Sequence, residues 1–484
     1  MNSKMKARLF LSIAAVAMLA MACSTKNETV PEKIKGVSFK ATVKAPSTKA
    51  LTDNGTSIGS SWAVDETVAL VYSVGGTAYN STATVEEVNS SGTATITATL
   101  QSGITNGTAV TLIYPASAAD GTTGNILSTV LSSQDGTLSN NRDVRKGTGT
   151  ISVDGTDATL NGGATLAAQY AICKFSVKDV DASNTLDVTS FVIKDASDNI
   201  ITTVTPGSAT NELYVSLPAS SDLMWFEAIA SDKPYVAKGT ASLAAGKFYT
   251  PTVKMATIGN VIGANGKFYK DKADAVAAST LVSAVIVYLG DETAETGYKH
   301  GLAVSTKAAG SGTKKWAEAT GLQNPAQYTD ITSALAAKES GSALCSGKDD
   351  ETNFPAFYNA VNNNITSVAS GTTKAKPSSG TSNWFLPSLF QWNQIIKSVN
   401  GTNDNLGTTG KNTSRFYYLT NCVKNATGSD LITYWGGETD WWTSTEYSSG
   451  NAWRFVSVAS SNSGHADNRD KTVFGGYVLA ALAF

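Results

Sequence analysis

The sequence predicts a mainly β protein, with two successive β-sandwiches followed by an α+β domain. Three observations predict it. Charged residues make up only 16% of the 484, while Gly, Ser, Thr and Ala abound. Short alternating apolar and polar runs, separated by Gly, Asn and Asp, recur as far as residue 256, which is the period of half-buried strands. Helical spacing and clustered tryptophans begin only beyond that point. A chain of this length is expected to hold about two to four domains.

Taken in order, the N-terminus carries Lys4, Lys6 and Arg8, then an apolar run over residues 9–22, then Cys23. A basic start, a short apolar stretch and small residues before a cleavage point read as a secretory signal over residues 1–22. The run falls short of the roughly 20 residues that span a bilayer. Residues 23–35 are polar and read as a tether. Next, Val37, Phe39, Ala41 and Val43 alternate with polar residues and predict a strand over 37–44, broken by Pro46, Ser47 and Thr48 before Lys49. Strands follow at 67–72, 93–100 and 109–114 in a first unit spanning 36–160. A second set at 171–177, 190–194, 212–217, 225–230 and 247–255 makes a second unit spanning 161–256.

After Met255 the character changes. Residues 274–279, 314–320 and 330–339 read as helical, with Asp330 as an N-cap. Ser388 followed by Gln391 makes a capping box, and Leu389, Trp392, Ile395, Ile396 and Val399 then share one helix face. Six of the nine tryptophans lie between Trp384 and Trp453. Residues 257–484 therefore read as a separate α+β domain.

Composition excludes several classes. Net charge is −2 and the pI is about 5.9, with no basic block suited to nucleic acid. Only two histidines are present. His300 reads as structural and His465 lies in a polar loop, so neither supports a Ser-His-Asp constellation. Zinc-protease, EF-hand and phosphate-loop motifs are absent. No catalytic residue, cofactor or metal is expected, and the chain is not read as an enzyme. Four cysteines are present. Cys173 sits on the apolar side of a strand and reads as a small buried hydrophobe. Cys345 and Cys422 either pair in an oxidising compartment or stay free.

Residues 19–23, Leu-Ala-Met-Ala-Cys, resemble a bacterial lipobox, with Ala20 where leucine is usual. That resemblance implies cleavage before Cys23 and acylation there, which would anchor the chain in the outer membrane at the cell surface. Residues 36–256 resemble the fimbrillin family, the pilin-like lipoproteins of Bacteroidales. The features that carry this are the strand over 37–44, the loop over 47–50, Ser-Trp-Ala-Val-Asp-Glu-Thr-Val-Ala-Leu-Val-Tyr at 61–72 and Leu-Ile-Tyr-Pro at 112–115. Ala-Ile-Cys-Lys-Phe-Ser-Val at 171–177 and Leu-Ala-Ala-Gly-Lys-Phe-Tyr at 243–249 complete the pattern. The resemblance implies two transthyretin-like Greek-key sandwiches. It also implies an assembly route. A protease cuts at Lys49, where the family often has arginine; the strand bearing Val37, Phe39, Ala41 and Val43 leaves; a strand from another subunit replaces it.

The C-terminal domain resembles lectin-like domains related in fold to C-type lectins and formylglycine-generating enzymes. The carrying residues are Gly301–Val304, Lys315–Ala319, Trp384–Ser388, Trp441–Glu446, Ala452–Phe455 and the apolar end at 477–484. The calcium-site motifs of C-type lectins are missing. Trp441, Trp442, Glu446, Asn451, Trp453 and Arg454 are the ligand candidates, because flat aromatic faces stack on sugar rings; the other reading is that the tryptophans fill the core. The expected function is a fimbrial subunit at the tip of a fibre, attaching cells to a host or bacterial glycan or protein. The alternatives are a monomeric surface lipoprotein that binds glycans and, third, an enzyme on the lectin-like fold.

Overall fold

A computed structural model describes residues 36–44, 52–53, 55, 58–59, 61–89, 92–139, 143–321, 324–365, 367–401, 405–407, 415–432, 438–458 and 463–484. Cys23 and Lys49, and with them the expected lipidation and cleavage, lie outside the described residues. Among the described residues the fold is mainly β, 44% strand and 12% helix.

In the first unit one sheet closes on itself. Val37–Lys44 pairs antiparallel with Thr93–Leu100 along its whole length, from Val37 opposite Leu100 to Lys44 opposite Thr93. The ring continues through Thr77–Val88, Thr67–Val74, Thr108–Tyr114 and Arg145–Asp154. Arg145–Asp154 turns back into Asp157–Leu160, which pairs in parallel with Val37–Lys44 and closes the ring. Gly75 and Gly76, at φ +57° and +84°, make the two-residue turn between Thr67–Val74 and Thr77–Val88. Positive φ at both positions matches the twist of a tight hairpin. Alternation puts Phe39, Ala41 and Val43 inside with Leu70, Ile96 and Leu112. Trp62 meets Tyr114 edge-on at 5.1 Å.

Ala164–Thr165 pairs with Val37–Lys44, and Ala167–Ala168 pairs with Arg145–Asp154. The first unit therefore runs to residue 168, not 160, because these short strands finish its sheet. It also lends a segment to its neighbour, described below.

The second unit is a two-sheet sandwich. One sheet holds Glu212–Leu217, Ala171–Asp179, Phe248–Tyr249 and Thr252–Met255. The other runs Lys233–Thr240, Leu223–Ala230, Val188–Lys194, Ile200–Val204 and finally Ser133–Gln134, which comes from the first unit. Phe175, Phe191 and Phe226 meet in the core at 5.5–5.8 Å.

The C-terminal domain packs helices against two five-stranded sheets. The first runs Phe268–Tyr269, Val261–Gly263, Val282–Leu289, Gly301–Ser305, Ala481–Ala483; the second runs Ala309–Lys314, Gly476–Val478, Glu438–Glu446, Asn451–Val458, Ser463–Asp470. The strands at its start and its end thus share a sheet. Helix Leu389–Asn400 begins with both halves of the capping box, Gln391 N–H to Ser388 Oγ at 3.2 Å and Ser388 N–H to Gln391 Oε1 at 2.9 Å. Leu389, Trp392, Ile395 and Ile396 are buried on its inner face, and Gly401 ends it in the left-handed conformation. Asp330 caps Ile331–Ala336 through the Ser333 amide at 2.9 Å.

Residues 314–320 are not helical. The Trp316 and Ala317 amides bond instead to the Lys471 carbonyl, and the Trp316 indole donates to the Thr443 carbonyl at 2.7 Å. Tertiary partners therefore outbid local propensity there. Helices Pro355–Val361 and Arg415–Thr427 were not legible in the pattern.

Candidate functional site

The predicted leaving strand holds a specific place. Val37–Lys44 lies between an antiparallel neighbour and two parallel ones, so both of its edges are paired. Phe39 and Val43 are fully buried and Ala41 is 6% exposed, while Lys40, Thr42 and Lys44 face outward. The structure brings Val37, Phe39, Ala41 and Val43 to one face, as their spacing predicts.

Just downstream, Thr52–Asp53 and Ile58–Gly59 form a small hairpin. Asp53 reaches the second unit: its Oδ2 accepts from the Tyr214 hydroxyl at 2.7 Å and from Lys174 Nζ at 3.0 Å. These bonds, with the Gly55 amide, bring its carboxyl down to about 2.

The ligand candidates in the C-terminal domain require correction. Trp441 and Trp442 are fully buried and Trp453 is 1% exposed. The Trp442 indole donates to the Lys314 carbonyl at 2.7 Å and the Trp453 indole to the Tyr328 carbonyl at 2.8 Å. Trp441 packs between Trp392 and Tyr477. A ring enclosed in this way offers no face to a ligand, so these tryptophans are core. Glu446 is fully buried and pairs with buried Lys471, while its Oε2 accepts the Asn324 amide at 2.8 Å. It holds the 324–328 stretch in place, where Tyr328 N–H also donates to the Glu446 carbonyl. Arg454, 2% exposed, bridges Asp440 and Asp467. Asn451 is half-buried and donates to Asn468 at 2.8 Å.

Cys345 and Cys422 do not pair; both are free thiols, as is Cys173. Cys345 Sγ accepts from the Leu386 amide, and Cys422 lies toward the Ile286 carbonyl, so the two face different elements.

A further cluster joins the second unit to the C-terminal domain. Met224, Phe226 and Ala228 point into the sandwich, so Trp225 and Glu227 point outward, onto the C-terminal domain. His300 stacks on Trp225 with centroids 3.8 Å apart, and its Nδ1 lies 2.8 Å from Glu227 Oε1. His300 Nε2 is 3.7 Å from Asp198 Oδ1. One His nitrogen and two carboxylates within 4.8 Å of one another have the composition of a cation site. Lys194 decides otherwise: its ammonium sits 2.8 Å from Glu227 and 3.1 Å from Asp198, where a metal would have to be. Burial alone would raise the Glu227 carboxyl, but bonds from His300 and Lys194 outweigh it and bring it below the usual range. This cluster is an interdomain joint. Its sequence signal was weak, since Asp198, Glu227 and His300 are far apart in the chain.

No family model and no curated protein matches the chain. Among solved structures, a fimbrial protein from Bacteroides ovatus is similar at 12% identity and a TM-score of 0.30, over 93% of this chain and 99% of that one. A fimbrial assembly protein from Parabacteroides distasonis is similar at 12% identity and a TM-score of 0.28, over 45% of this chain and 90% of that one. At these values the likeness assigns no function.

Proposed function

We propose that this chain is a subunit of a cell-surface fibre, placed at its tip, with the C-terminal domain as the adhesive part. One observation carries the reading: Val37–Lys44 is a single stave of a closed sheet, paired along its whole length on one edge and at Ser38–Lys40 and Val43–Lys44 on the other, and Lys49 follows it in the sequence. A cut at Lys49 would free the stave and leave a groove with unpaired N–H and C=O groups, which is what strand addition requires. Residues 476–484 are taken up within the C-terminal domain. Gly476–Val478 and Ala481–Ala483 are strands of the C-terminal domain's own sheets, and Leu479–Phe484 is fully buried. A segment used in that way cannot also serve as a donor. On this reading, lipid on Cys23 holds the chain at the outer membrane during export, and the ligand is a surface glycan or protein.

The test is to isolate the chain from cell-surface fibres and sequence its new N-terminus. A terminus at Ala50 with residues 36–44 gone supports the proposal, and Lys49→Ala should block it. An intact stave in every surface-exposed molecule, with glycan binding by the monomer, would favour the lipoprotein reading instead.

A further inference from the structure

The second sandwich has two seams between its sheets, and the molecule treats them differently. One seam lies between Ile200–Val204 and Glu212–Leu217. Ser133–Gln134 fills it, in parallel register with Ile200–Val204. The Thr203 amide donates to the Ser132 carbonyl at 3.1 Å and the Thr205 amide to the Gln134 carbonyl at 2.9 Å. On the other side the Tyr214 amide donates to the Gly136 carbonyl at 2.8 Å. Buried Gln134 donates to the Ser216 carbonyl and accepts from the Ser216 amide, both at 2.9 Å. An extended segment from outside the unit therefore bonds both sheets at once.

The opposite seam lies between Lys233–Thr240 and Thr252–Met255, and it is closed at one end only. Val236 and Ala256 exchange both backbone bonds, at 2.8 and 2.7 Å. Strand parity then turns the backbone groups of Lys238 and Thr240 toward the seam. The Ser176 amide bonds to the Pro251 carbonyl, so by the same alternation Thr252 and Lys254 face the seam from the other sheet. Continued zipping would place Lys238 opposite Lys254 and Thr240 opposite Thr252. Instead the edges part around a slot of about 590 Å³, lined by Phe175, Met224, Phe226, Leu243, Tyr249 and Val253.

We infer that this slot receives an extended strand from another polypeptide, with apolar side chains at alternate positions. Its backbone pairs with Lys238 and Thr240 on one edge and with Thr252 and Lys254 on the other, and its inward side chains fill the slot. The filled seam on the far side of the same sandwich shows the kind of occupant these sheets accept. The inference rests on the fibre reading for the source of the strand, but it concerns a different groove from the one Val37–Lys44 would vacate.

The test is amide hydrogen exchange on the purified full chain, alone and with a synthetic decapeptide alternating valine and threonine, and on the chain in fibres taken from cells. The amides of Lys238, Thr240, Thr252 and Lys254 should exchange fast in the free chain and at least about tenfold more slowly with the peptide or in the fibre. Ala237→Phe fills the slot and should abolish the peptide effect; Ala241→Asp, at its mouth, does the same by charge should Ala237→Phe not fold. Protection already present in the free chain, or none gained from either peptide or fibre, overturns the inference. Fibres that form with these amides unchanged sink the slot and spare the fibre reading. Peptide protection without fibres does the reverse.

Discussion

The phenol of Tyr214 donates a 2.7 Å hydrogen bond to Asp53 across 161 residues of chain. Together with the Lys174 ammonium it fastens the first unit to the second. The Asp53 carboxyl is held down to about 2, so the sign of its pH dependence is fixed. Its contribution is fully present above the unfolded carboxylate value of about 3.9 and is lost as pH falls through about 2. Carbon-13 titration should show Asp53 still ionised at pH 3. Tyr214→Phe should move its midpoint up toward the ordinary carboxylate range.

Phe39→Ala should cost about 3–5 kcal/mol of stability, because a fully buried ring is removed from a closed core. Lys40→Ala, one residue along and facing outward, should cost less than about 0.5 kcal/mol. Denaturant unfolding of the pair checks this. Equal effects would mean the stave does not sit with Phe39 inside.

The joint at Glu227 should weaken in acid. Its carboxyl lies below the usual range in the folded chain, so its contribution is present above the unfolded value of about 4.3 and fades as pH falls through the folded one. His300→Ala also removes the stacking on Trp225, and should cost about 1–3 kcal/mol at neutral pH by leaving Glu227 without one partner. Small-angle scattering across pH 3–7 should show the C-terminal domain loosening at the acid end, and earlier in the variant.

Trp453→Ala should cost about 3–5 kcal/mol in the C-terminal domain, since it empties a buried site and orphans the Tyr328 carbonyl. The measurement is the thermal midpoint beside binding to a glycan array. Lost binding with an unchanged midpoint would restore the tryptophans as ligand contacts.

Burial pushes the Cys345 and Cys422 thiols up to about 12. Alkylation at pH 8 should therefore be slow in the native chain and rapid after denaturation, since the thiolate is the reactive form. Reducing agent should leave the melting midpoint unchanged; a drop would reveal a disulfide.

What the sequence showed depended on whether a contact was local. The alternation at Val37, Phe39, Ala41 and Val43 and the Ser388–Gln391 capping box are local signals, and both appear as read. The tryptophan cluster showed where a packed domain lies but not which rings face water, because residue type alone does not place a side chain inside or outside. Ser133–Gln134 is too short for any periodicity, and its role comes from Ser216 and Thr203, far along the chain. The parallel pairing of Val37–Lys44 with Asp157–Leu160 joins segments over 110 residues apart and leaves no pattern in either. For the same reason the approach of Lys194 to Glu227 could not be placed in advance.

The two neighbours of the Val37–Lys44 stave impose unlike demands. Thr93–Leu100 runs against it, while Asp157–Leu160 and Ala164–Thr165 run with it. A replacement threaded backwards would be parallel where the gap calls for antiparallel and antiparallel where it calls for parallel, so its bonds would miss the existing registers. Only a strand of the original orientation restores the ring. If the stave is exchanged as proposed, the groove it leaves would have a polarity, and a filament joined through it would have distinguishable ends.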